Sequence, residues 1–293
     1  MKAAELQGIF VPAATPFTQD GALDEASFDR YVRHLLAHDI QGIVINGTTG
    51  ESPTAAWEEV ERLVTRARAV MAETGHALPI IVGTGTNDTR TTVRRTELAR
   101  RLGADAALVV VPYYSKPSQA GIVEHFRRAS ETGLPVIAYE VPSRTGVRLQ
   151  PDTAASILAL DGVIGLKDSS GGTELLEALA ARTGKPVLCG EDADFLAMLR
   201  LGAAGGMLAS ANVRTDAFVR VYRQIRGGSA EQAERTFGAL LPLIRLLFEE
   251  SNPAPLKWLL AAQGIIASDT LRLPLMPVSP ALQAKLAQTL REL

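Results

Sequence analysis

Only six of the 30 basic residues in this 293-residue chain are lysines, and one of them, Lys167, directly continues the apolar run Val163-Ile164-Gly165-Leu166. An ammonium buried at the end of such a run costs several kcal/mol unless it is paired or neutralised. Two readings follow. Lys167 is either held in a structural ion pair with Asp168 or Glu191, or it is a desolvated amine of lowered pKa, the type of nucleophile that attacks ketones to give a Schiff base. The other lysines have plainer settings: Lys2 at a terminus, Lys185 in a turn, Lys285 in the last helical stretch and Lys257 after Asn252-Pro253. Lys116, in the loop that follows Pro112-Tyr113-Tyr114, is the one rival.

Other residues at the ends of apolar runs carry chemistry of a matching kind. Gly47-Thr48-Thr49-Gly50 has no lysine after its second glycine and so is not a P-loop. Its backbone N–H groups and two hydroxyls suit a carboxylate, though an ordinary turn reads the same way. Tyr139 could pass protons at a carbinolamine, and Arg144 offers a planar fork to a second carboxylate; a core-edge aromatic and a surface arginine are the plain alternatives. Tyr113-Tyr114 fits core, interface or site. Cys189, the only cysteine, has no histidine nearby in sequence and reads as a buried filler. His34 and His38 have i,i+4 spacing but no apparent third ligand, so a solvated helix face is expected there.

The elements that must position these residues alternate. Short Val/Ile/Leu runs predict strands at 9–13, 42–45, 79–82, 106–111, 135–138, 163–166, 186–189 and 206–209, and their continuous apolar character predicts cover on both faces, as in parallel sheets. Amphipathic stretches at 25–38, 55–73, 89–102, 119–132, 152–160, 173–181 and 192–201 predict helices, with Leu-Gly stops at 102–103 and 201–202. Eight β-then-α units without G-x-G-x-x-G after the first strand favour a closed α/β (β/α)8 TIM barrel over a dinucleotide-binding sheet. The polar and glycine-rich segments then crowd the carboxyl ends of the strands, where such barrels keep their sites. Beyond Thr215 only helices are expected, at 215–226, 229–250, 252–264 and 280–292, so the reading is a barrel over 1–226 with the active site and a small C-terminal helical appendage over 227–293.

Apolar residues make up 46% of the chain and the formal net charge is -2. A sizeable core is affordable in length and composition, and no basic surface points to nucleic acid or membrane. No uncharged apolar run of membrane-spanning length and no secretory signal is read, and a lone cysteine fits a reducing, cytoplasmic setting.

Together, Gly47-Thr48-Thr49-Gly50-Glu51, Tyr139-x-Val141-Pro142-Ser143-Arg144-Thr145-Gly146, Gly165-Leu166-Lys167-Asp168-Ser169-Ser170 and Asn252-Pro253-x-Pro255-x-Lys257 resemble the dihydrodipicolinate synthase and N-acetylneuraminate lyase family of Schiff-base barrels. The resemblance spans nearly the whole chain and is closest to the synthase branch, through Pro112-Tyr113-Tyr114-x-Lys116-Pro117, Arg144 and the Asn-Pro segment. It implies a lyase that condenses pyruvate with L-aspartate 4-semialdehyde to 4-hydroxytetrahydrodipicolinate, on the route to lysine and diaminopimelate, without metal or organic cofactor. A 2-keto-3-deoxy sugar acid aldolase or dehydratase and a non-catalytic pyruvate-binding protein are the alternatives.

By position, the resemblance makes Lys167 the nucleophile, Tyr139 the proton donor and acceptor, and Thr49 with nearby N–H groups the holder of the pyruvate carboxylate. Thr48 would link Tyr139 to Tyr114 of a neighbouring subunit, Arg144 would bind the aldehyde's carboxylate, and Gly190 and Met207 would line the site. A homotetramer built as a dimer of dimers is implied. Two departures stand out. Glu140 replaces the usual Asn and either pairs with Arg144 or points harmlessly outward. Trp57 and Thr91 replace the imidazole and carboxylate of lysine-inhibited members, so weak or absent inhibition by lysine is expected.

Overall fold

The computed structural model describes residues 1–292. Strands β1 (Gly8–Pro12), β2 (Gly42–Ile45), β3 (Ile80–Gly83), β4 (Ala106–Val110), β5 (Val136–Glu140), β6 (Val163–Asp168), β7 (Val187–Cys189) and β8 (Gly205–Met207) close in chain order into the expected barrel. Between them run helices α1 (Glu25–Leu36), α2 (Trp57–Glu73), α3 (Thr89–Arg101), α4 (Gln119–Ser130), α5 (Pro142–Thr145), α6 (Pro151–Ala159), α7 (Glu174–Leu179) and α8 (Phe195–Arg200). Helices α9 (Thr215–Arg226), α10 (Ala230–Leu247), α11 (Ala254–Ala262) and α12 (Pro280–Glu292) follow the last strand.

The local reasons are conventional ones. Residues of β1, β2, β3, β5 and β6 are buried along their full length, which is why their sequences lack polar alternation. Asp24 caps α1 by accepting from Ser27 N at 2.9 Å, Asp88 caps α3 from Thr91 N at 2.8 Å, and Ser118 caps α4 from Gly121 N at 3.2 Å. Gly103, at φ 76°, ends α3 and donates its N–H to Arg100 O.

Two compact units make up the chain. One joins Met1–Phe10 to Pro79–Met207; the other joins Val11–Leu78 to the residues from Leu208 onward. In the first, β3 to β8 pair side by side, and β1 returns to β8 with Phe10 opposite Met207. In the second, α1 packs against α2, while α10 packs against α9, α11 and α12.

The structure departs from the sequence pattern most usefully at β5 and β6. Each runs two residues beyond its expected end, taking in Tyr139-Glu140 and Lys167-Asp168. The polar pairs end the apolar run but not the ladder: Tyr139 lies opposite Lys167 and Glu140 opposite Asp168. Tyr139 and Lys167 therefore sit on strand backbone, not on loops. Helix α11 begins at Ala254, two residues later than Asn252-Pro253 suggested, with Pro253 as its N-cap.

Candidate active site

In the first unit, strand alternation sorts four side chains into two pairs. Successive residues of a strand point to opposite faces, so Tyr139 and Lys167 share one face while Glu140 and Asp168 share the other. On the first face, Lys167 Nζ stands 4.2 Å from the centre of the Tyr139 ring, and both side chains are 6% exposed. Among the described residues Lys167 makes no ion pair. The structural pairing with Asp168 that the sequence left open is not formed, because Asp168 turns away and accepts from Ser170 N at 2.9 Å. The amine faces an aromatic surface, which favours a nearby cation only weakly.

Gly190 explains how the lysine fits. A Cβ built there would come within 2.6 Å of Lys167 Cε and 2.2 Å of Ser169 Oγ, so only glycine lets the lysine chain pass over the end of β7. Its N–H donates to Asp168 O at 2.7 Å. Beyond it, burial and the charges of Asp192 and Asp194 push the Glu191 carboxyl above its usual range, and Lys167 and Arg144 pull it partly back. Glu191 thus feels both cations without bonding to either.

Arg144 lies on the one-turn helix α5, with its backbone N–H on Val141 O at 2.9 Å and its side chain exposed. Glu140 does not pair with it; its Oε1 accepts from Leu149 N at 2.9 Å on the opposite face of β5. Met207 closes β8 with no exposed surface. Tyr114 is not brought to Lys167. It stands 88% exposed at φ 70°, in a loop where Lys116 also has positive φ. Cys189 is buried, its thiol is pushed up by burial, and it donates to Glu191 O, as a filler would. His34, on α1, and His38, two residues beyond its end, pack edge to face.

In the second unit, Thr48 and Thr49 lie on the turn after β2, where Gly47 O accepts from Gly50 N at 3.0 Å. Asn46 and Glu51 bracket the turn with φ of 61° and 56°, a region that costs non-glycine residues free energy. The C-terminal residues hold it in place. Lys257 Nζ bonds Glu51 Oε1 at 2.7 Å and Thr15 O at 2.9 Å, and Arg272 N donates to Glu51 Oε2 at 3.1 Å. Asn252 Nδ2 donates to Thr49 Oγ1 at 3.1 Å. With a donor already on its oxygen, the Thr49 hydroxyl has its own proton left to give to an anion. Asn252 and Glu191 escaped notice as contributors in the sequence: one read as a helix start, the other only as an alternative partner for Lys167.

A (β/α)8 barrel with an unpaired lysine and a tyrosine at the carboxyl ends of adjacent strands defines a class, the barrel lyases of the class I aldolase type. The chain belongs to the dihydrodipicolinate synthetase family, whose model matches residues 5–293. It is 40% identical over 288 residues to a 4-hydroxy-tetrahydrodipicolinate synthase of Thermomicrobium roseum, covering 97% of this chain and 94% of that one. It is 37% identical over 286 residues to 4-hydroxy-tetrahydrodipicolinate synthase 2 of Clostridium acetobutylicum, covering 96% and 98%. Among solved structures it is similar to the dihydrodipicolinate synthase of Thermotoga maritima, with a TM-score of 0.93 and 36% identity over 98% of both chains. The pyruvate complex of the Acinetobacter baumannii enzyme gives a TM-score of 0.93 and 35% identity over 98% of both chains. Among the described residues no helix is long and apolar enough to cross a membrane.

Proposed function

We propose that this chain condenses pyruvate with L-aspartate 4-semialdehyde to give 4-hydroxytetrahydrodipicolinate, through an imine on Lys167. The observation that carries the reading is the facing pair of Lys167 and Tyr139, with the amine unpaired at 4.2 Å from the ring. Attack on the ketone needs the nitrogen lone pair, and an ion pair would hold the amine as an ammonium, which has none. The carbinolamine loses water to become the imine, and loss of a methyl proton then gives the enamine that attacks the aldehyde. Each step moves a proton at nitrogen, oxygen or carbon next to the Tyr139 phenol, which serves as donor and acceptor.

The remaining roles follow the resemblance. Thr49, oriented by Asn252, takes the pyruvate carboxylate with the neighbouring N–H groups, and this fits the free proton on its hydroxyl. Arg144 takes the carboxylate of the semialdehyde, supported by its exposed guanidinium. The carbonyl of Gly190 and the backbone near Met207 line the site. Thr48 and Tyr114 form the proton relay, with Tyr114 supplied by a second subunit, in keeping with its exposure of 88%. The working form is then a homotetramer of tight dimers in the cytoplasm. Glu140 lies on the other face of β5, so it does not compromise Arg144 and lends no support to a sugar-acid substrate. Side-by-side assays of pyruvate with L-aspartate 4-semialdehyde and of a panel of 2-keto-3-deoxy sugar acids test the assignment. Turnover confined to the semialdehyde is expected, and cleavage or dehydration of a sugar acid at a higher kcat/KM would overturn it.

A further inference from the structure

Behind the Lys167–Tyr139 pair, on the outer face of the same two strands, lies a second pair with a different character. Glu140 and Asp168 are opposite one another in the β5–β6 register and are 0% and 1% exposed. Register neighbours on adjacent strands are about 4.8 Å apart along the backbone, close enough for their carboxyl groups to meet. Each carboxyl has one oxygen bonded. Glu140 Oε1 accepts from Leu149 N, and Asp168 Oδ1 accepts from Ser170 N, both at 2.9 Å. Each also has one buried oxygen without a partner, Glu140 Oε2 and Asp168 Oδ2. Two buried carboxylates side by side cannot both be ionised cheaply, and an unpaired buried acceptor costs free energy of its own. A single proton shared between the two orphan oxygens removes both penalties.

We propose that Glu140 and Asp168 hold one proton between them and that this acid pair positions the loop carrying Arg144. The loop runs from Val141 to Leu149 and, besides the bond from Gln119 Nε2 to Arg148 O at 3.0 Å, has two ties near its far end. Leu149 N is held by Glu140, and Arg148 Nη2 donates to Ser170 O at 2.9 Å, beside the N–H that Asp168 accepts. Both ties therefore end on the acid pair or on the residue it fixes. Loss of the proton leaves two buried carboxylates, which hold both ties more tightly, because the N–H groups of Leu149 and Ser170 and the Arg148 guanidinium all favour the ionised acids. Of the charges that face the pair, Arg148 favours loss of the proton from both carboxyls and Asp194 disfavours it for Asp168. Tyr139 and Lys167 belong to the other face. Burial pushes Glu140 up to about 7, with Asp168 adding to the effect, so the shared proton leaves near neutral pH.

The catalytic half of this proposal rests on the role given to Arg144; the proton does not. Infrared difference spectra of the full-length protein, titrated from about pH 5 to about pH 9, read the proton directly. A buried carboxylic-acid C=O band is expected in the wild type, lost as pH rises through neutrality, and missing in both Glu140→Gln and Asp168→Asn. Absence of the band in the wild type at low pH overturns the proposal. Kinetics at saturating pyruvate read the positioning. KM for the aldehyde should fall several-fold as pH rises through neutrality in the wild type and stay flat in Glu140→Gln, which keeps the tie to Leu149 without an ionisable group. Glu140→Leu should raise that KM at every pH and leave borohydride trapping of pyruvate unchanged. An alkaline fall of the same size in Glu140→Gln sinks the positioning role. A titrating band in a protein that does not turn over the semialdehyde supports the acid pair and rejects the substrate assignment instead.

Discussion

Lys257 and Lys167 are both withdrawn from solvent, at 0% and 6% exposure, yet one is saturated with acceptors and the other has none. Lys257 bonds the Glu51 carboxylate and the Thr15 carbonyl and sits 4.4 Å from the centre of the Phe17 ring. Burial lowers its pKa and Glu51 opposes that, the balance expected of a cation kept for structure. Lys167 has only the face of Tyr139. Burial alone therefore does not mark a reactive lysine; the absence of a counter-charge does. The first lysine ties α11 to the turn after β2, while the second leaves its nitrogen free to form a bond.

Mutation should divide the two lysines cleanly. Tyr139→Phe keeps the ring that faces Lys167 but removes its hydroxyl, and should lower kcat by ~10²–10⁴ if the phenol is the acid–base. Its melting temperature should stay close to that of the wild type. Lys257→Met leaves Glu51 buried and unpaired, so unfolding should become easier by about 3–5 kcal/mol in a denaturant titration. Were Lys257→Met as stable as the wild type, the structural half of the contrast would be wrong.

A smaller effect concerns pH. Glu140 is held at about 7 in the fold against its ordinary 4.5, so the folded state binds more protons between those values. Its contribution to stability is complete below about 4.5 and is lost as pH rises through about 7, to the extent of about 3 kcal/mol at most. His125, lowered by burial from 6.5 to about 4, produces the opposite slope over its own range. The difference between wild type and Glu140→Gln is therefore the informative curve, and it should slope between pH 4.5 and 7, the wild type losing stability relative to the variant as pH rises. The smallest effect is a nil one. Thr91 spends its hydroxyl on the Asp88 cap at 2.5 Å, and Trp57 opens α2, so neither offers a charge to an amino acid effector. A lysine titration of activity should be flat, and strong inhibition at sub-millimolar lysine would contradict this.

Much of the barrel was legible because strands buried on both faces must be apolar throughout, as in Val163-Ile164-Gly165-Leu166. The ends of β5 and β6 were not, because Tyr139-Glu140 and Lys167-Asp168 break the apolar run while keeping the ladder. Which way Glu140 points depends on register, and register is a tertiary fact. The α5 turn, only four residues long, has too little periodicity to see. Asn252 on Thr49 and Lys257 on Glu51 join residues more than 200 positions apart, which no local pattern encodes. The lysine itself was visible because a charge at the end of a buried run is rare enough to notice.

The most direct measurement is reductive trapping. Incubation with pyruvate and borohydride, followed by peptide mapping, should add one reduced pyruvyl group per chain, on Lys167, with Lys257 and Lys116 unlabelled. Labelling of another lysine, or an unmodified chain after exhaustive treatment, would contradict the account.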